Sequence, residues 1–344
     1  MKTRLTAQQF DRAQGVLLGT AAGDALGAGY EFGPPLDDDT PVEMNGGGPF
    51  GWEPGEWTDD TSMALAIAEV AASGADLRER AAQDAIVARW AGWATDAADV
   101  GTQTRQVLAA VAVGGASGMA ASGGQGADRA ADRARAAARR VHEATGRSGG
   151  NGSLMRTAPV VLAYLGDPGG LAEAAAALSA LTHYDEEAGE ACVLWSLAIR
   201  HAVLTGEADA RAGLAGLPPA RQAGWAERLA AAGRGRPRDF DQNGWVVHAL
   251  QGAWSAIAAA GPVGSGAGAG AAGPGPSAAG WLRVALEAAV RGGRDTDTVA
   301  AIAGGLAGAA AGAGAVPVKW RERVHGWPGL RAAGLAELTA AIVR

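Results

Sequence analysis

Apolar residues recur along most of this chain at spacings of three and four, the period of a helix buried on one side. Phe10, Val16, Leu17 and Leu26 follow that period behind Thr6 and Gln9, a pair with the spacing of a capping box, so a first helix is expected there. Met63, Ile67 and Val70 outline a second helix, which Ser73-Gly74 stops. Leu171 to Leu181, Glu187 to Leu204, Trp245 to Ile257 and Trp281 to Val290 read the same way. No segment alternates with the two-residue period of a half-buried strand. The expected fold is all-α.

Val299 to Val318 carries no charged side chain and contains Gly304 and Gly308, the spacing of a membrane-helix dimer motif. Its residues are mostly Ala and Gly, which add little transfer energy, so a tightly packed buried helix is expected instead of a membrane span. Two stretches interrupt the helical pattern. Gly114 to Gly126 is rich in Gly, Ala and Ser, and Gly261 to Gly280 is low in complexity. Both read as insertions, because acidic clusters on either side of the second stretch resemble each other and are expected to build one site. A single domain over residues 1–344 follows.

Composition narrows the function. A net charge of -7 argues against nonspecific nucleic-acid binding, which needs a basic surface. The one cysteine, Cys192, excludes an internal disulfide and sits in an apolar helical run, as a small buried hydrophobe would. The first fifteen residues are polar and charged where a secretory leader would be apolar, so a cytoplasmic protein is expected. There are 11 tryptophans among few other aromatics, and core packing with a satisfied indole N–H accounts for most of them.

The chemistry concentrates at two places. Thr58-Asp59-Asp60-Thr61 and Asp295-Thr296-Asp297-Thr298 each stand directly before a helix rich in small residues. Capping explains one such side chain per helix, worth about 1 kcal/mol, since Asp and Thr oxygens accept free amide hydrogens and the helix dipole favours anions. It leaves the second Asp of each pair unexplained. Partial neutralisation by Arg291 and Arg294 is another possibility. If the two helix starts meet, four carboxylates converge with Thr hydroxyls, an all-oxygen set that suits hard divalent cations. Four carboxylates balance two dications, so a paired magnesium centre is expected, with manganese as the alternative. Zinc is disfavoured without HExxH or a Cys/His cluster.

Other candidates are weaker singly. Leu17 to Phe32 contains Asp24 and Glu31, the latter just after a Gly-rich turn where a helix would end. Its small residues allow another helix or a ligand to approach closely. Gly146 to Val161 joins a Gly-rich loop to a helix, and its backbone amides, with Asn151 and Ser153, can cradle phosphates. His183 precedes a helix, with Asp185 two residues on, and Asp99 lies beside a glycine. The literal GxGxxG at Gly46, Gly48 and Gly51 is rejected because no helix opens after it. With only Lys2 and Lys319, no P-loop is available.

Taken together, "GVLLGTAAGDALGAGYEF", "GPFGWEPGEWTDDTSMALAIAE", "GNGSLMRTAP", "LTHYDEEAG" and "GGRDTDTVAAIAGGLAGA" resemble the ADP-ribosylglycohydrolase family, including its dinitrogenase reductase-activating members. The blocks stand in the family's order from Gly15 to about Ala310. The resemblance implies a compact helical domain with a binuclear magnesium site in a central cleft. It makes Thr58, Asp59, Asp60, Asp295, Asp297 and Thr298 metal ligands, and it places Glu31 and Asp99 in acid/base roles. Asn151, Gly152 and Ser153 would contact the distal ribose and diphosphate, and His183 the nucleotide part. The implied activity is hydrolysis of ADP-ribose from a modified acceptor, arginine-linked first. A serine, acyl-ester or nucleic-acid linkage, or a non-catalytic ADP-ribose binder, remain as alternatives. The expected partner is an ADP-ribosylated protein or small-molecule conjugate, with no membrane, nucleic acid only as a modified substrate, and a monomeric state.

Overall fold

The computed structural model describes residues 4–118, 129–263 and 277–344. From the N-terminus the helices are α1 (Ala7–Gly27), α2 (Asp59–Ala72), α3 (Arg80–Trp93), α4 (Thr102–Gly118) and α5 (Ala130–Thr145). Next come α6 (Val160–Ala163), α7 (Pro168–Ser179), α8 (Glu186–Thr205), α9 (Pro219–Ala232) and α10 (Val246–Ala259). The last four are α11 (Ala278–Arg291), α12 (Thr296–Ala311), α13 (Val318–Arg323) and α14 (Ala332–Val343). The strands among the described residues are His325–Gly326 and Leu330–Arg331, one short antiparallel pair. All six helices expected from the periodicity are present, and Thr6 and Gln9 form the reciprocal capping box of α1.

Glycine spacing builds the centre. Gly15, Gly19, Gly23 and Gly27 recur every fourth residue along α1 and leave one stripe of it without side chains. Gly304 and Gly308 do the same on α12. The two stripes meet: a Cβ on Gly19 would lie 2.2 Å from the Gly304 carbonyl oxygen, and one on Gly308 2.0 Å from that of Gly15. The contacts run from Gly15–Gly308 to Gly27–Asp297, so the helices are antiparallel and the end of α1 reaches the start of α12. The Thr296 hydroxyl seals that junction by donating to the Gly27 carbonyl at 2.8 Å. What looked in isolation like a membrane-dimer motif is therefore an internal helix crossing. No helix of the described residues is long and apolar enough to cross a membrane.

α12 is buried from Thr296 to Ala310 and packs on α1, α8, α10 and α11. Core tryptophans find acceptors as expected: Trp195 donates to the Ile302 carbonyl, Trp90 to the Met63 carbonyl and Trp225 to Glu190. Cys192 is fully buried in α8. Residues 114–118 of the first glycine-rich stretch are not loop but the end of α4. Residues 119–126 of it, and 264–276 of the second, lie outside the described residues. Ser277 then caps α11 by accepting the Gly280 amide.

Candidate active site

The helix starts at Asp59 and Thr296 are not capped by their own side chains. Thr58 and Asp295, which hold the two N-cap positions, make no side-chain cap hydrogen bond. Asp24, one turn from the end of α1, caps α2 instead. Its Oδ1 accepts the Thr58 amide at 2.9 Å, and its Oδ2 accepts the Thr61 amide at 2.9 Å and the Thr61 hydroxyl at 2.6 Å. One borrowed carboxylate thus answers the helix's need for acceptors, and Asp59 and Asp60 are left for other work.

The two acidic helix starts converge. Thr58 Oγ1 lies 3.0 Å from Asp60 and 3.3 Å from Asp297, which is 239 residues away in sequence. Carboxylate oxygens of Asp24, Asp60 and Asp297 fall within 4.8 Å of one another, and so do those of Glu31, Asp295 and Asp297. Asp297 is common to both groups. Asp24 already accepts three hydrogen bonds, so its place in the first group is that of a cap. Asp59 belongs to neither group but shares the cleft floor with Asp295 and Asp297. Thr298 lines the same cleft.

No ion pair among the described residues neutralises this cluster. Arg291 is held by Glu287 and the Thr40 carbonyl. Among the described residues no ion pair joins Arg294 to a carboxylate. Arg156, fully buried near Asp59, donates to the Thr182 hydroxyl at 2.6 Å and stacks on Trp90. Burial, reinforced by neighbouring carboxylates, therefore pushes Asp59, Asp60 and Asp297 well above the usual carboxylate range. Burial and then Asp295 and Asp99 raise Glu31 to about 9. Asp99 and Asp295 are raised too, mainly by burial. Oδ1 of Asp60, Oδ1 of Asp297 and Oε2 of Glu31 are buried with no hydrogen-bond partner. Orphaned acceptors in an all-oxygen set are what hard divalent cations satisfy, and the residues fit such a group.

A cleft of about 700 Å³ opens above the cluster. Glu31, Asp59, Asp99, Asn151, Gly152 and His183 all line it, as do Asp295, Asp297 and Thr298. Asn151 donates to Asp295 at 2.7 Å and to the Asn243 carbonyl at 2.8 Å, which ties the glycine loop to the acidic floor. The His183 ring lies against that loop: a Cβ on Gly150 would stand 3.2 Å from Nε2 and one on Gly152 3.1 Å from Cε1, so a side chain at either would press on the ring. Burial, then Arg156, holds His183 neutral with its pKa near 3. Ser153 is not among the lining residues. It receives hydrogen bonds from Ser179 and Cys192 behind the loop, because the turn at Asn151–Ser153 points it inward. Thr58 and Asp60 likewise lie beneath the surface of the cleft.

Sequence reading missed several participants. Asn243 supports the floor by accepting the Asp295 amide and donating to the Gly293 carbonyl. Gln103 to Arg105, in the first turn of α4, form a wall beside Asp99, and Phe32 and Phe50 stand at the mouth. Phe32 carries a positive φ of 59° and is 67% exposed, a costly place for an aromatic ring unless something covers it. The Asn-Gly pair before Trp245 was the available signal for Asn243.

The family model of the ADP-ribosylglycohydrolases matches residues 5–344. The chain belongs to the ADP-ribosylglycohydrolase family. It is 31% identical over 325 residues to the ADP-ribosylarginine hydrolase Tri1 of Pseudomonas putida (strain GB-1), an alignment that covers 92% of this chain and 75% of that one. A shorter match, 41% over 107 residues, covers 30% of this chain and 29% of the Tri1 of Serratia proteamaculans (strain 568). The ADP-ribosyl-(dinitrogen reductase) glycohydrolase of Rhodospirillum rubrum is 29% identical over 206 residues, 56% of this chain and 58% of its own. A solved ADP-ribosylglycohydrolase-related protein complex superimposes with a TM-score of 0.67 at 29% identity, covering 98% of this chain and 99% of that one. ADP-ribosylglycohydrolase membership thus rests on the whole chain, with the acidic helix starts at its centre.

Proposed function

We propose that this ADP-ribosylglycohydrolase cleaves ADP-ribose from arginine side chains of modified proteins and needs two divalent cations, magnesium first and manganese second. The observation that carries the reading is the meeting of Thr58 and Asp297 at 3.3 Å beneath the cleft, among carboxylate oxygens that no described residue satisfies. The names of the two Tri1 relatives support the arginine linkage.

Thr58, Asp59, Asp60, Asp295, Asp297 and Thr298 would hold the cations. Bound there, they supply positive charge that orients the distal ribose and offsets the acidic floor. The remaining work belongs to the protein. Asn151 keeps Asp295 in place and closes the glycine loop over the sugar. His183, neutral and fixed through Nδ1 by Thr182 at 2.7 Å, presents its other ring nitrogen to the loop that faces the nucleotide. Glu31 and Asp99 stand on the cleft wall and are the groups able to move a proton, one toward the departing guanidine and one away from the attacking water. Carboxylates around the sugar stabilise the oxocarbenium character that develops as the bond breaks.

In this reading the protein acts as a monomer in the cytoplasm. Incubation with arginine-, serine- and ester-linked ADP-ribose conjugates, with magnesium and then with chelator, tests it. Release from the arginine conjugate alone, abolished by chelation, is expected. Tight ADP-ribose binding with no release from any conjugate would make the chain a binder, a role for which the buried, unpartnered Glu31 carboxylate has no use.

A further inference from the structure

A second cavity, of about 260 Å³, adjoins the cleft. Trp52, Trp57, Trp93 and Trp327 line it, together with Glu56 and Asp96. Asp59 and Asp99 line both cavities, so the two spaces meet at the carboxylates of the reaction centre. Its volume lies below the roughly 300–1,000 Å³ of a site for a drug-sized ligand, and it suits one amino-acid side chain better than a nucleotide.

The lining specifies the chemistry. Indole faces attract cations, and a guanidinium does best among biological cations because it is flat, weakly hydrated and able to stack while pairing with carboxylates. Among these carboxylates Asp99 feels the charge of Arg105 without pairing with it. Among the described residues Glu56 accepts the Glu53 amide, at 2.8 Å, and Asp96 the Thr95 hydroxyl, at 3.2 Å. Among the described residues neither Glu56, Asp96 nor Asp99 forms an ion pair. The Trp52 indole N–H is buried without an acceptor among the described residues. Rings of Phe32, Phe50 and Trp52 follow one another at 6.3 and 5.9 Å, and they join the mouth of the cleft to this wall.

We propose that the tryptophan-lined cavity is the acceptor subsite, which takes the guanidinium-bearing side chain while ADP-ribose fills the cleft, with the scissile bond at the junction by Asp59 and Asp99. This rests on the arginine linkage assigned above. In the step it serves, water oxygen bonds to the anomeric carbon and the C–N bond breaks. The guanidine leaves with the bonding pair, and the proton lost by water returns to that nitrogen. The product guanidinium then sits between indoles and carboxylates.

The test compares wild type with Glu56→Gln/Asp96→Asn and with Trp327→Leu, changes away from the residues assigned to metal or proton transfer. KM for the arginine conjugate should rise about thirtyfold, the scale of a desolvated cation–π contact, with kcat within about twofold. Affinity for free ADP-ribose, measured by calorimetry, should not change. Agmatine should give a saturation-transfer NMR signal with wild type that both variants lose. An unchanged KM with agmatine still bound overturns the assignment, and so does a parallel loss of ADP-ribose affinity, which would make the cavity part of the cleft. If wild type released nothing from the arginine conjugate, the linkage would fall. The agmatine signal would still decide whether the cavity takes guanidinium, and its absence would overturn the subsite independently.

Discussion

Asp24 holds the amide of Thr58 at 2.9 Å, so the helix that carries Asp59 and Asp60 is capped by a residue from another helix. Acidic residues at a helix start commonly stabilise it. Here the stabilising role falls to Asp24 and leaves the acidic residues of the helix start free of it. Asp24→Ala should lower the stability of chelator-treated protein by about 1–2 kcal/mol, the loss of a cap. Asp60→Asn should raise it, since it removes a buried carboxylate whose Oδ1 has no partner. Denaturant midpoints in EDTA check both signs, and a loss in both variants would return Asp60 to a structural role.

The α1–α12 crossing gives a second expectation. A Cβ on Gly304 would lie 2.0 Å from the Gly19 carbonyl oxygen, backbone against backbone, where no rotamer can relieve the contact. Gly304→Ala should cost at least the upper end of the ~1–3 kcal/mol typical of overpacking and displace the start of α12 from Asp60. Gly189→Ala, in α8 with nothing within 4 Å, should instead stabilise by about 0.5–1 kcal/mol. Thermal unfolding of the two variants side by side reads the contrast.

The acidic floor should make metal-free protein sensitive to alkali. Glu31 has a folded pKa of about 9 against an ordinary 4.5, and Asp59, Asp60 and Asp297 are shifted in the same direction. A raised folded pKa contributes stability that is complete below the unfolded value and is lost as pH rises through the folded one. His183 acts oppositely: its pKa, depressed to about 3, gives stability present above 6.5 and lost as pH falls toward 3. Between pH 6.5 and 9 the carboxylates alone should set the slope. The melting temperature in chelator should fall across that interval, the gain on adding magnesium should grow, and Glu31→Gln should flatten the chelator curve. A melting temperature flat in pH would contradict this.

How much of this was visible beforehand depended on side-chain size. α1, α2, α8 and α10 carry large apolar residues at helical spacing and could be read directly. α5 could not, because its buried face is Ala131, Ala134, Ala137 and Ala138, which leaves no large apolar period in a run of arginines. The carboxylates at Asp59, Asp60, Asp295 and Asp297 were legible because two per helix exceed what capping needs. Asp24 was ambiguous, since a cap for a helix 35 residues away in sequence has no local signature. Ser153 looked like its neighbours Asn151 and Gly152, yet one turn of 3-10 helix carries it behind the loop. Asn243 and the tryptophan-lined cavity depend on segments that meet only after folding.

Glu31→Gln separates proton transfer from metal binding. The variant keeps the shape of the side chain and should retain the fold and the cation content. Turnover of the arginine conjugate should fall about 10²- to 10⁴-fold, the range for loss of a positioned acid or base. Full activity would move that role to Asp99, and single-turnover rates for both variants distinguish the two.

The meeting of two distant acidic helix starts around paired cations is tested most directly by anomalous scattering from crystals soaked in manganese. Two peaks are expected, both within ligand reach of Asp297, one beside Thr58 and Asp60 and the other beside Asp295. A map with no peak at that carboxylate, in protein that still hydrolyses its substrate under the same manganese concentration, would contradict the account.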